Sequence, residues 1–451
     1  MGKRLIVIGG VAAGMSAASK AARQNKEMTI DVYTDESYIS YSACSLPYYT
    51  QDVIDNKEVM IARSVAEFGE RGVRAHPQHK ALRVDPAKKA VLIRRPDSAE
   101  AWEAYDRLVI ATGARPIVPP LPGIGLEGVF TVKQIPQAER LKEYIAARKP
   151  ARAVIAGGGF IGAEMAEALL ALGLKVTVLE MAPRIMTLMD EDMAALVAKE
   201  LRAAGAEVIT GAALTGMLGE DRVNAVASDS GEIAADLVIL AIGVKPNTEI
   251  AQAAGIELGF KNAIRVNERM ETNLPDIYAA GDCAAARHLV TGKETYIPLG
   301  TTANKQGKIA GENAAGGQAV FKGVVGTTIF KVIEKEGART GLSLREAGLA
   351  GIDAWESTIT SYTRAAGYPG RGEITVKLVV EKGSRRLLGG QIFGAAGAGK
   401  RIDVLAALLQ TGASIDLLAE LDLAYAPPFS PVWDPLLVAA NQAVSKADKM
   451  E

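Results

Sequence analysis

Two cysteines and three histidines are all that this 451-residue chain holds of the side chains that staple secreted domains or grip transition metals. Two cysteines cannot build a disulfide framework, and nothing in the chain has the spacing of a zinc-ligand set. Such sparse cysteine suits a reducing compartment, and a cytoplasmic protein is expected. An excess of charge of either sign is also missing: 51 Lys and Arg stand against 52 Asp and Glu, for a net charge of −1. That balance gives no reason to expect nucleic acid or an anionic membrane as partner. No uncharged apolar run is long enough to span a bilayer. The opening MGKRLIVIGGVAAGM puts basic residues before an apolar run, as a signal peptide does, yet it lacks an evident cleavage site and carries a phosphate-loop pattern.

What is present is the composition of an ordinary enzyme, 49% hydrophobic and 23% charged. At roughly 150 residues per domain the length suggests about three domains. The 46 glycines cluster in short motifs. KRLIVIGGVAAGMSAASKAARQ passes from a β-rich run through a glycine turn to an alanine-rich helical pattern, and TIDVYT returns as a strand. ARAVIAGGGFIGAEMAEALLALGLKVTVLE repeats that grammar, so two separate nucleotide-binding domains are expected. From about Thr327 the texture changes: EITVKLVVEKGSRRLLGGQIFG reads as a hairpin, KRIDVLAALLQ and PVWDPLLVAANQAVSKA as helices. The expected fold class is α/β, two Rossmann-like domains plus a C-terminal α+β module. The boundaries read as 1–115 with 246–325, then 116–245, then 326–451.

In the second loop Gly157, Gly159 and Gly162 fill all three positions of G-x-G-x-x-G, between a strand and a helix as that motif requires. Glu180 closes VTVLE, where a carboxylate accepts hydrogen bonds from an adenosine ribose and repels a 2′-phosphate. NADH is favoured on that ground, while Arg184 close behind keeps NADPH open. The first loop has Gly9 and Gly14 at its ends but Val11 in the middle, and Thr34 ends the following strand, which leaves Asp35 or Glu36 for the ribose. By spacing alone it is a dinucleotide site of unspecified kind.

Together the two loops, ATG at 111–113, YAAGDCA at 278–284 and SYSACSLPYYT around Cys44 resemble the two-dinucleotide flavoprotein disulfide reductases, over essentially the whole chain. The resemblance implies FAD on the first loop, held by Gly9, Gly14, Asp35, Ala111, Thr112, Gly113, Asp282 and Ala303, with Asp282 toward the ribityl chain. It implies NAD on the second loop, held by Gly157, Gly159, Phe160, Gly162, Glu164, Glu180 and Gly243. Phe160 matches an aromatic gate and Glu164 a carboxylate near the nicotinamide. Read without the family, Asp282 is equally a turn residue, Phe160 a core aromatic and Glu164 a helix-surface carboxylate.

Tyr49 stands where the second cysteine of a redox disulfide would be, so the chain resembles the single-cysteine branch: coenzyme A-disulfide reductases, NADH oxidases, NADH peroxidases and NADH-dependent persulfide reductases. Ala12 replaces the loop histidine of the oxidases and peroxidases. The resemblance makes Cys44 the nucleophile and brings Tyr425 and Tyr368 over it from the partner subunit of a homodimer. A thiolate is the working form, favoured by nearby positive charge or a helix N-terminus. Ser16, Lys20, Arg23 and Ser40 match positions that contact coenzyme A. Ala43 and Trp433 depart from coenzyme A-specific relatives, widening the acceptor to other disulfides, persulfides or polysulfides. Cys283 reads as a buried filler. No rhodanese module is expected after the final helix. Oxygen reduction at the flavin and a redox-sensing FAD module are the alternatives.

Overall fold

The computed structural model describes residues 2–450. In the first parallel sheet, Arg4–Ile8 lies between Thr29–Tyr33 and Arg107–Ile110, and the late strand Ile277–Ala279 joins the far side of the latter. Residues distant in the chain thus complete a sheet that its N-terminus begins. RLIVI is almost wholly buried: Leu5 and Val7 pack with the helices Ala12–Gln24 and Gly300–Ala314, and Ile6 and Ile8 with Val84, Val91 and Ile93 of an antiparallel three-stranded sheet. The helix Ala12–Gln24 packs on Gly300–Ala314 at backbone contact. A Cβ on Gly307 would lie 2.2 Å from the Ala13 carbonyl oxygen, and one on Gly311 2.0 Å from that of Ala17. Small residues on both helices are what permit this approach.

The second parallel sheet centres on Arg152–Ala156, flanked by Lys175–Glu180 and Leu237–Leu240, with Glu207–Thr210 and Val129–Phe130 at its edges. The C-terminal sheet is antiparallel, in the order Thr328–Val332, Lys335–Gly341, Leu387–Gly394, Glu373–Glu381, Ala354–Tyr362. The hairpin read from EITVKLVVEKGSRRLLGGQIFG is its central pair, and the two expected helices form at Ile402–Thr411 and Pro435–Ala447. Asp434 starts the last helix by accepting the Leu436 N–H. This is the expected mixed architecture, two Rossmann-like parallel-sheet units, each with a three-stranded antiparallel sheet on one face, and an α+β module. One core joins the last two units: Phe330, Val332 and Phe393 pack with Met165, Leu169 and Val197. Among the described residues no helix is long and apolar enough to cross a membrane.

Candidate active site

Both glycine loops are built by near-contact of backbone. Gly9 has φ +118°, and a Cβ there would lie 2.0 Å from the Ala111 carbonyl oxygen; one on Gly14 would lie 1.8 Å from that of Gly9. The helix after the loop starts with no side-chain cap from Val11, so its first amides are free to meet an anion. Val11 turns its extra bulk to use, packing against the cluster of Tyr41, Leu46 and Tyr49 that supports the cysteine segment. In the second loop a Cβ on Gly157 would meet the Ala241 oxygen at 2.4 Å and one on Gly162 the Gly157 oxygen at 2.0 Å. Gly159 has nothing within 4 Å on that side, which leaves room for a ligand to reach the backbone. Glu180 holds the loop from below, accepting the Gly158 N–H at 2.7 Å and the Ala182 N–H at 2.8 Å.

A cavity of about 2060 Å³ runs along the first loop and Asp35, past Cys44, to Gly159, Phe160 and Gly243. That exceeds the roughly 300–1,000 Å³ of a pocket for one small ligand and suits extended dinucleotides. The FAD implied by the resemblance fits the residues present. Gly9 and Gly10 line the cavity, the helix that follows starts with no side-chain cap on its first amides, and Asp282 lies on the wall.

Cys44 is exposed at the cavity and sits in the turn Ala43–Ser45 that leads into the short helix Leu46–Thr50. The approach to it is strained: Ser40 has φ +51°, pinned by its N–H to the Gly10 oxygen at 2.8 Å and by the Ala62 N–H to its own oxygen at 2.7 Å. Surrounding protein pushes the Cys44 thiol up, Glu164 and Asp282 add to the shift, and Lys133 opposes it. The expected lowering is therefore not supplied by the residues of one chain. Glu164 is itself pushed up to about 7, by burial first and by the charge of Glu167 second. It therefore keeps its proton to higher pH than an ordinary carboxylate, which lessens the negative charge beside a developing thiolate. Tyr48 is pushed up to about 12 by burial and by Glu164 and Glu167, so it stays a phenol.

The wall also takes Thr112, Gly113, Ala111, Ala303, Ser16, Arg23 and Ser40. Lys20 is placed otherwise: it pairs with Glu312 at 2.9 Å and lies off the wall. Ser16 donates to Asn304 at 2.7 Å. Asp35 is exposed and 3.7 Å from Lys80, whereas Glu36 is half-buried and accepts the Tyr41 hydroxyl at 2.6 Å. Tyr425 and Tyr368 are exposed on the C-terminal module, off the cavity of their own chain. Cys283 is fully buried, its thiol directed to the Ile110 and Ala280 oxygens, as a filler should be. Arg184 has a buried Nε with no hydrogen-bond partner.

Sequence reasoning missed Lys133, whose Nζ lies 3.2 Å from Asp282 and whose charge acts on Cys44. It also missed a run of cations on the wall: Arg63, Lys305 and Lys308 join Arg23. A signal existed for the last two, since NKQGK follows the expected Ala303 on one helix. For Lys133 and Arg63 there was none.

Comparison with known proteins places these features. Residues 3–307 match the family described as pyridine nucleotide-disulphide oxidoreductase, and residues 327–436 match its dimerisation domain. The chain is 39% identical over 445 residues to the NAD(P)H coenzyme A polysulfide/persulfide reductase of Pyrococcus horikoshii, covering 98% of each chain. It is 37% identical to the NADH oxidase of Methanocaldococcus jannaschii, covering 98% of this chain and 99% of that one. It superimposes on the NAD-dependent persulfide reductase of A. fulgidus with a TM-score of 0.96 at 42% identity, covering 99% of this chain and 84% of that one.

Proposed function

Because the chain belongs to the pyridine nucleotide-disulphide oxidoreductases, we propose that it carries electrons from NADH through FAD to Cys44 and on to a coenzyme A disulfide, persulfide or polysulfide. The observation that carries this reading is a single accessible cysteine on a cavity that both glycine loops reach, with Cys283 buried off that wall. When bound, FAD supplies the two-electron relay between nicotinamide and sulfur. The Cys44 thiolate attacks one sulfur of the substrate disulfide, forming a mixed disulfide and releasing one coenzyme A thiolate, which takes up a proton. Two electrons then cleave the mixed disulfide, returning the Cys44 thiolate and the second thiol. In sum, NADH, a proton and one disulfide become NAD⁺ and two thiols.

Lys133 is the chain's own cation for the thiolate, and Glu164 is poised to hold a proton while that charge appears. Arg23, Arg63, Lys305 and Lys308 offer charge for the phosphates of coenzyme A. Tyr362, Tyr368, Tyr425, Phe429 and Trp433 form an exposed aromatic set on the module that matches the dimerisation domain. A second copy of the chain covers it, and Tyr425 and Tyr368 then reach the other subunit's Cys44, where a phenol donates to a departing thiolate.

The test is intact-mass and peptide mass spectrometry of protein purified without reductant. A coenzyme A adduct on Cys44, removed by dithiothreitol, is expected. A free thiol with no adduct after incubation with coenzyme A disulfide would sink the substrate assignment.

The donor is set by Glu180. An added 2′-phosphate would meet its carboxylate, and two charges 4 Å apart repel by about 4 kcal/mol at an effective dielectric of 20. Glu180→Gln removes the charge and keeps an acceptor for one of the two amides, Gly158 or Ala182. The NADPH to NADH ratio of kcat/KM should rise at least about ten-fold, one decade being 1.4 kcal/mol. An unchanged ratio would mean that the carboxylate does not face the ribose.

A further inference from the structure

The helix Phe160–Ala171 brings Phe160 and Glu164 to the cavity wall in its first turns. One turn on, Glu167 is 8% exposed and lies off that wall, and the chemistry above leaves it unused. Both of its oxygens are taken by the C-terminal module. Oε2 accepts the Ile333 N–H at 2.8 Å, and Oε1 accepts Lys331.

Ile333 opens the two-residue turn between Thr328–Val332 and Lys335–Gly341 and has φ +54°. A β-branched residue in that region is sterically strained, and glycine is its ordinary occupant. The isoleucine packs against the core that Phe330, Val332 and Phe393 share with the nucleotide-binding helix. Phe160 itself lies with its ring centroid 4.9 Å from that of Phe330. The helix that carries Glu164 is therefore held from the C-terminal module twice, by shared apolar core and by a buried carboxylate closed on a strained turn.

We propose that Glu167, through Lys331 and the turn at Ile333, is a positioning residue that latches the nicotinamide-binding helix to the C-terminal module and so holds Phe160 and Glu164 at the cavity. This rests on reading that helix as the nicotinamide site. The charged and titratable groups that interact with Glu164 are Glu167 on its own helix, Cys44 on the cavity wall and Tyr48, with Lys133 and Asp282 acting on Cys44. Since Glu167 raises Glu164, neutralising it moves the Glu164 titration to lower pH, whereas removing Lys331 does not.

Two variants of the full-length holoenzyme test this: Glu167→Gln and the half-exposed Lys331→Met. The readouts are KM for NADH and for disulfide, the pH dependence of Cys44 alkylation, and hydrogen exchange across Phe160–Ala171. Both variants should raise the NADH KM about ten-fold and speed exchange in the helix, leaving the disulfide KM unchanged. Glu167→Gln alone should shift the step near pH 7 in the alkylation profile downward by about one unit. Wild-type NADH KM and exchange in both variants would overturn the latch, as would an equal rise in the disulfide KM. Faster exchange and the alkylation shift in a protein whose wild type does not bind NADH would keep the latch and remove the nicotinamide reading.

Discussion

Cys44→Ser should lose turnover of coenzyme A disulfide by about a thousand-fold or more while the protein still binds FAD and still consumes NADH with oxygen. A serine hydroxyl is not ionised at neutral pH and no base is positioned for it, as Ala12 holds the place of the loop histidine. An oxygen nucleophile also cannot form the mixed disulfide that the reduced flavin must cleave. Electron transfer to oxygen makes no bond to sulfur, so that activity should stay within a few-fold of wild type. The comparison is NADH oxidation with and without disulfide, on protein of matched flavin content. Retained disulfide turnover in the mutant would overturn the mechanism; loss of both activities alike would assign Cys44 a structural part instead. A sensor would differ from either outcome by binding NADH tightly while turning over no acceptor in the wild type.

Gly14→Ala should weaken FAD retention, lowering affinity by about 100-fold, which is roughly 3 kcal/mol. The added Cβ would lie 1.8 Å from the Gly9 carbonyl oxygen and 2.8 Å from its carbonyl carbon. Both are backbone atoms, and Gly9 is itself pressed against Ala111, so neither side has room to yield. The loop must open, which moves its amides off the phosphate position. Flavin absorbance per chain after purification and titration of added FAD measure the loss, and circular dichroism checks the fold. Full flavin content in the variant would place FAD somewhere other than this loop.

How much of this was legible beforehand differs by element. Both glycine loops, the strand and helix around each, and the central hairpin of the C-terminal sheet follow from local periodicity, because turn chemistry and side-chain alternation are written in adjacent residues. Cys44 stood out by scarcity. Lys20 did not hold to its expected place, because one helical turn suits a solvated cation and a ligand contact equally, and only packing against the Gly300–Ala314 helix set Glu312 beside it. Lys133 could not be found at all. It follows a linker with no motif, and its meaning comes from Asp282, a residue nearly 150 positions further along the chain.

The sequence by itself determined the two glycine loops with their flanking strands and helices and the scarcity that singles out Cys44, since each is written in residues close together in the chain. Only the tertiary structure decided the electrostatics of the site: the proton-holding Glu164, the opposing Lys133 and the hold of Lys331 and Ile333 on Glu167. Those pairings join distant segments, and their energies depend on burial and separation, which no spacing along the chain encodes.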